Sequence, residues 1–123
     1  MIDAIYLSYL VIGLGGGIGA GLRFWVSESV AFPFGTILVN VLGSFLIGIA
    51  FGIAIHRFGE RLSLFFITGF LGGFTTFSAF SLDVLKLFQA DKVALAAFYI
   101  TTTLTASIFA VFLGVAITKY LFS

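Results

Sequence analysis

Tyr99, Thr103 and Ser107 recur at intervals of four residues, so a helix stacks their three hydroxyls along one face. A hydroxyl both donates and accepts, so this stripe alone suits an anion or a cation. A single such residue in an apolar helix is satisfied by bonding back to the preceding turn. Three at one spacing point instead to a shared partner. Thr101, Thr102 and Thr105 add hydroxyls elsewhere around the same segment. Asn40, with Ser44 one turn on, brings an amide with two donor hydrogens and one acceptor oxygen. Two roles are open to it: bonding between helices, or donation to a ligand. Phe77 and Phe80 lie three apart with Ser78 and Ser81 among them. A phenyl ring is negative on its faces and positive at its edge, so edges turned toward a pathway favour a small anion and disfavour a cation. Plain packing is the competing reading, since 17 of the 123 residues are Phe. Arg23 and Asp83 are the formal charges set deepest in apolar sequence. Arg23 either snorkels to an interface or gathers anions at a pathway mouth. Asp83 has Lys86 three residues on as a ready partner.

Other chemistries are excluded early. There is no cysteine, hence no disulfide, thiol nucleophile or thiolate metal site, and the one histidine, His56, sits in a charged loop without a catalytic partner. "GGGIGA" (Gly15 to Ala20) matches the dinucleotide pattern GxGxxA, but no strand precedes it and no acidic residue follows about 20 positions on, so close helix packing is the better account. Six Lys and Arg against five Asp and Glu give a net charge of +1, which leaves no basic surface for nucleic acid. Nothing resembles a nucleophile–base pair, so an enzyme is not expected.

The elements that must carry these residues follow from composition. The chain is 61% hydrophobic and 9% charged, where soluble domains run near half apolar and a quarter charged. A small domain in water exposes too much surface to hide that excess. Lipid is the solvent that fits. Crossing a bilayer takes about 20 apolar residues in a helix, and four stretches qualify: about 4–26, 34–55, 62–88 and 93–118. The expected fold is an all-α membrane protein of one domain, with four transmembrane helices. The start lacks a basic leader region, so no cleavable signal peptide is expected. Trp25 is placed as an interfacial anchor. Gly43, Gly48 and Gly52 on the second helix read as sites of close packing. In the third, Gly72-Gly73 followed by Thr75-Thr76 is a poor helix interior. A break near 72–76 would free backbone groups, which membranes tolerate only beside protein or a cavity.

With four crossings, Arg57, Arg61 and Lys119 fall on one side and Arg23, Lys86 and Lys92 on the other. This even division gives the positive-inside bias nothing to act on, so copies inserted both ways up and paired as an inverted homodimer are one expectation. A single orientation set by charge position or the N-terminal amine is the other.

The motifs together resemble a known family. "GGGIGAGLRF", "GTILVNVLGS" and "GFLGGFTTFSAFS" match, in order and spacing along nearly the whole chain, the Fluc (CrcB) family of fluoride channels. The resemblance implies an antiparallel, dual-topology homodimer that exports fluoride passively through two pores. It implies that Phe77 and Phe80 form a phenylalanine box with ring edges toward the ion, that Asn40 donates to fluoride, and that Tyr99, Thr103 and Ser107 form a polar track. It implies Arg23 as the vestibule arginine, and carbonyls of Gly72 and Thr75 around a structural sodium ion at the dimer interface. Ala79 stands where Thr is common in the family, Asp83 where Glu is, and Phe24 where another aromatic is.

No acidic residue stands plainly in mid-membrane for proton coupling, so passive flow is expected over pumping. The alternative is a small proton-coupled multidrug exporter, for which Asp83 is the one candidate relay. A purely structural membrane protein would leave the hydroxyl stripe and the broken helix without purpose. The topology expectation is checked by fusing one-sided reporters to the C-terminus: both compartments should give signal, and a strong signal from a single side would overturn it.

Overall fold

The computed structural model describes residues 2–55 and 57–122; His56 lies outside them. Helix α1 (Ile2–Glu28) leads to α2 (Phe34–Ala54). The third crossing is composite: α3 (Glu60–Ser63), a π-helical segment π1 (Leu64–Leu71), α4 (Gly72–Phe74) and, after two extended residues, α5 (Phe77–Gln89). Helix α6 (Val93–Phe122) completes the chain. Four spans are long and apolar enough to cross a membrane: Asp3–Glu28, Phe34–Ala54, Glu60–Gln89 and Val93–Phe122. The 21-residue α2 is about 31 Å long, close to the hydrocarbon thickness, whereas the 30 residues of α6 reach about 45 Å and extend beyond it.

Most helix ends fall within two residues of the sequence expectation, and two of the extensions are instructive. Helix α1 runs on through Ser27 and Glu28, because Ser29 closes it locally: its N–H meets the Trp25 and Val26 carbonyls and its hydroxyl donates to Trp25 O at 2.7 Å. Helix α6 likewise continues past Thr118 to Phe122. Between α5 and α6 the turn is tight. Asp91 adopts φ 58°, and the amides of Asp91 and Lys92 return to the carbonyls of Phe88 and Leu87 at 3.1 and 2.9 Å, closing the helix as a Schellman motif.

Glycine decides how the helices pair. Helix α1 packs along π1 and α4, and α2 packs along α6. A Cβ on Gly15 would stand 2.6 Å from the Phe65 carbonyl oxygen, and one on Gly69 2.8 Å from that of Ile12. The GGGIGA stretch is therefore uninterrupted helix laid against the third crossing, and not a phosphate loop. On the other pair, a Cβ on Gly48 would collide with the Val111 carbonyl and one on Gly114 with that of Phe45. Gly52 is filled in the same way by the Thr118 side chain.

The break falls within the expected 72–76, at its threonines and not at its glycines. Gly72 and Gly73 remain helical, and the chain extends at Thr75 (φ −88°, ψ 159°) and Thr76 (φ −155°, ψ 122°). Gly43 makes room for it: a Cβ there would collide with the Thr75 methyl and lie 3.2 Å from the Phe74 ring. The most enclosed cluster, Phe80, Leu87, Ala96 and Tyr99, joins α5 to α6 just beyond the break.

Overpacking a tight helix crossing costs about 1–3 kcal/mol. Gly48→Val should therefore lower the thermal unfolding midpoint in detergent, while Gly59→Ala, where a Cβ meets nothing within 4 Å, should leave it unchanged. Equal midpoints for the two variants would refute this packing account.

Candidate functional site

The break in the third crossing, α2 and α6 enclose a cleft of about 220 Å³. Asn40, Ser44, Thr75, Thr76, Phe77, Phe80, Thr103 and Ser107 line it, with Leu104 and Ile108. Five of the residues expected at an ion pathway thus meet in one place: Asn40, Phe77, Phe80, Thr103 and Ser107. Tyr99 does not join them. Its ring is fully buried behind Phe80, and its hydroxyl donates to Asp83 Oδ2 at 2.8 Å.

Asn40 organises the cleft. Its Oδ1 accepts from the Thr76 N–H at 2.7 Å, and its Nδ2 donates to the Thr76 carbonyl at 3.0 Å. This pairing fixes which end of the amide is oxygen, because only oxygen can receive the Thr76 N–H. It also engages the acceptor. What Asn40 has left to donate into the cleft is one N–H. Both roles considered from sequence are therefore available to it at once: a tie between crossings and a donor.

From sequence alone Thr76 is no more than part of a poor helix interior. Besides its backbone pair with Asn40, its Oγ1 accepts from the Ala79 N–H at 3.1 Å and so caps α5. A Thr three residues before a helical amide was the available signal. The positive end of α5 consequently opens at the break, beside the cleft.

The hydroxyls divide into two groups. Thr75, Ser81 and Thr118 bond back to the carbonyls of Leu71, Phe77 and Val115 at 3.0, 3.0 and 2.8 Å. Thr103 Oγ1 and Ser107 Oγ are buried, yet among the described residues neither has a hydrogen-bond partner. A buried unmet hydroxyl costs about 1–3 kcal/mol. Two of them, one helical turn apart on a cleft wall, mark a place built for something else to bind. Thr101 and Thr105 are exposed on another face of α6, away from this cleft.

The rings stack in sequence. Phe80 lies 5.3 Å from Tyr99 at 16° and 5.5 Å from Phe77 at 54°. Phe80 is 6% exposed and Phe77 73%, so Phe77 forms the cleft's outer lip within a single chain. The sign of the favoured guest follows from the lining as a whole. No carboxylate lines the cleft, the Asn40 oxygen is occupied, and the remaining polar groups are hydroxyls and an N–H. The arrangement suits a small anion.

The charged residues also have definite places. Arg23 donates from Nε to the Gly73 carbonyl at 3.0 Å, which ties α1 to the carbonyl end of the break rather than leaving the guanidinium to snorkel freely. Asp83 is 8% exposed and takes Tyr99 as partner instead of Lys86, whose ammonium stands 5.8 Å over the Phe32 ring. Among the described residues no hydrogen bond reaches the carbonyls of Gly72 and Thr75. Unpaired carbonyl oxygens are hard ligands of the kind an alkali cation takes.

Comparison with known proteins places this architecture. A model of the family described as CrcB-like protein, Camphor Resistance (CrcB), matches residues 10–115. A protein of Agrobacterium fabrum, called fluoride-specific ion channel FluC, is 44% identical over 124 residues, covering 94% of this chain and 99% of the relative. Proteins of the same name from Rhizobium etli (43% identical, covering 91% and 96%) and Francisella philomiragia (44%, covering 88% and 92%) are similarly related. With four spans able to cross a membrane and a family match that runs from residue 10 in the first to residue 115 in the fourth, this multi-pass membrane chain belongs to the CrcB family.

Proposed function

We propose that this protein is a fluoride-selective channel, passing fluoride passively down its gradient out of the cell. The observation that carries the reading is the pair of buried, unpartnered hydroxyls of Thr103 and Ser107, facing the spare N–H of Asn40 across one cleft. The relatives' name, fluoride-specific ion channel, supplies the anion. Moving a small anion from water into low dielectric costs tens of kcal/mol by Born estimates. Here hydroxyls, an amide N–H, the positive end of α5 and the edges of Phe77 and Phe80 replace the lost water. All are neutral, so the ion is held without being trapped. An exporter coupled to protons would need its relay in the pathway. Asp83 is outside the cleft lining and already bonded to Tyr99, which argues against that mechanism.

The working unit in this proposal is an antiparallel homodimer of dual topology in the cell's inner membrane, with two pores. The 73% exposed Phe77 supports it, since a second copy would close the open lip of the cleft. Arg23 would raise the anion concentration at a pore mouth while bracing the break. The free carbonyls of Gly72 and Thr75 fit a structural sodium ion, and a second copy would double their number around it. Such an ion would neutralise carbonyl dipoles that the break leaves exposed to low dielectric.

Liposomes loaded with potassium fluoride or chloride and read with ion-selective electrodes decide the main claim. Fluoride should leave and chloride should not; equal rates would refute selectivity. Asn40→Asp, which adds a negative charge and an acceptor to the cleft, should reduce fluoride flux at least about tenfold. Phe80→Ile should also reduce it, and wild-type rates in both variants would remove these residues from the pathway. For the cation, purification in N-methylglucamine instead of sodium should lower the thermal stability of the dimer, with an unchanged midpoint counting against the carbonyl site.

A further inference from the structure

Asp83 is a buried carboxylate in a protein whose proposed cargo is an anion, and the site described above makes no use of it. Its placement is specific. It stands three residues after Phe80 on α5, so the two side chains leave the same helix face one above the other. Tyr99 reaches across from α6 and is gripped at both ends. Its ring stacks on Phe80 at 5.3 Å and 16°, and its hydroxyl donates to Asp83 Oδ2 at 2.8 Å. The Tyr99 side chain is 0% exposed, and Leu87 and Ala96 complete the enclosure.

We propose that Asp83 is a positioning residue for permeation: by holding the Tyr99 hydroxyl it locks the Tyr99 ring against one face of Phe80, so that Phe80 meets the ion with its edge. The face of a phenyl ring repels an anion and its edge attracts one, so the orientation of Phe80 decides whether the ring helps or obstructs. The near-parallel Tyr99 ring covers one face of Phe80. Turning Phe80 toward the cleft face-on would require Tyr99 to move, and Tyr99 cannot move without leaving a buried carboxylate unpaired. The negative charge does not bar the anion, because Asp83 lies outside the cleft lining and one oxygen is occupied by the phenol. In this arrangement Tyr99 acts through Phe80 and does not itself contact the ion.

The inference rests on the fluoride reading, and the test separates the two. Single-site 4-fluorophenylalanine at position 80 reports ring environment by fluorine NMR, and liposome efflux reports transport. Wild type should give one narrow resonance. Asp83→Ala and Tyr99→Phe should each broaden or split it, and each should lower fluoride flux about tenfold, the scale of losing a hydrogen bond to a charged group. Their double variant should fall within about twofold of either alone, because both remove the same link. Asp83→Asn, which keeps an oxygen for the Tyr99 hydroxyl, should retain the narrow resonance and flux within about threefold of wild type. An unchanged resonance in folded Asp83→Ala, or losses that multiply in the double variant, would overturn the assignment. Loss in Tyr99→Phe with wild-type flux in Asp83→Ala would overturn it too, by making Tyr99 a direct donor. Absence of fluoride flux from wild-type liposomes would instead strike at the channel reading itself.

Discussion

The two hydrogen bonds between Asn40 and the backbone of Thr76 hold the third crossing open. A helix interrupted inside a membrane leaves amides and carbonyls that lipid cannot satisfy. Here the most exposed pair, the N–H and C=O of Thr76, is met by one side chain from a neighbouring helix at 2.7 and 3.0 Å. The Thr76 hydroxyl caps the helix that follows, and Arg23 takes the Gly73 carbonyl on the other side. Each of these contacts comes from a residue that would be costly in apolar surroundings alone. Together they make the break a defined structure and not a defect.

That geometry sorts charge. Helix α5 starts at the break, so its positive end and the spare Asn40 N–H look into the cleft. Helix α4 ends there, so its carbonyl end, with the Gly73 oxygen held by Arg23, faces the interruption from the other side. In the proposed channel, one discontinuity would therefore serve both the anion pathway and the cation site, with no carboxylate lining the cleft. Gly43 permits this by letting the break approach α2 closely, and the glycine pairs of α1 and π1 keep the two backbones near enough for Arg23 to reach.

Much of this was legible in the sequence. Four crossings follow from composition and run length, and the common face of Thr103 and Ser107 follows from spacing. The region of the break was visible as Gly-Gly followed by Thr-Thr, but its position was not, because glycine's intrinsic penalty does not say which residue a distant side chain will capture. Asn40 selects Thr76, so the glycines stay helical. The π-helical segment Leu64–Leu71 has no signature in its run of apolar residues; it is the part of the third crossing that lies along the glycines of α1. Tyr99 shows a different limit. Four-residue spacing places three hydroxyls on one face, yet a phenol extends much further from the backbone than a Thr or Ser hydroxyl, so it passes the cleft and meets Asp83. Asp83 then prefers that partner to Lys86, because the carboxylate is buried whereas a lysine ammonium favours water.

In the proposed channel, the unpartnered hydroxyls would let the site conduct and not merely bind. Thr103 and Ser107 forgo the back-bonding that Thr75, Ser81 and Thr118 accept, and a buried hydroxyl without a protein partner carries a cost. A guest with acceptor capacity removes that cost on arrival, which lowers the entry barrier without any charged ligand. Because the donors are neutral, the gain stays small compared with a paired lysine or arginine in low dielectric. Arg23 illustrates the alternative that the protein avoids: its guanidinium is tied to the Gly73 carbonyl and does not line the cleft, so no full positive charge sits where an anion would stick. Selectivity in the proposed channel then falls to geometry, since the buried Phe80 ring and the two buried hydroxyls would reward an ion small and basic enough to approach them closely.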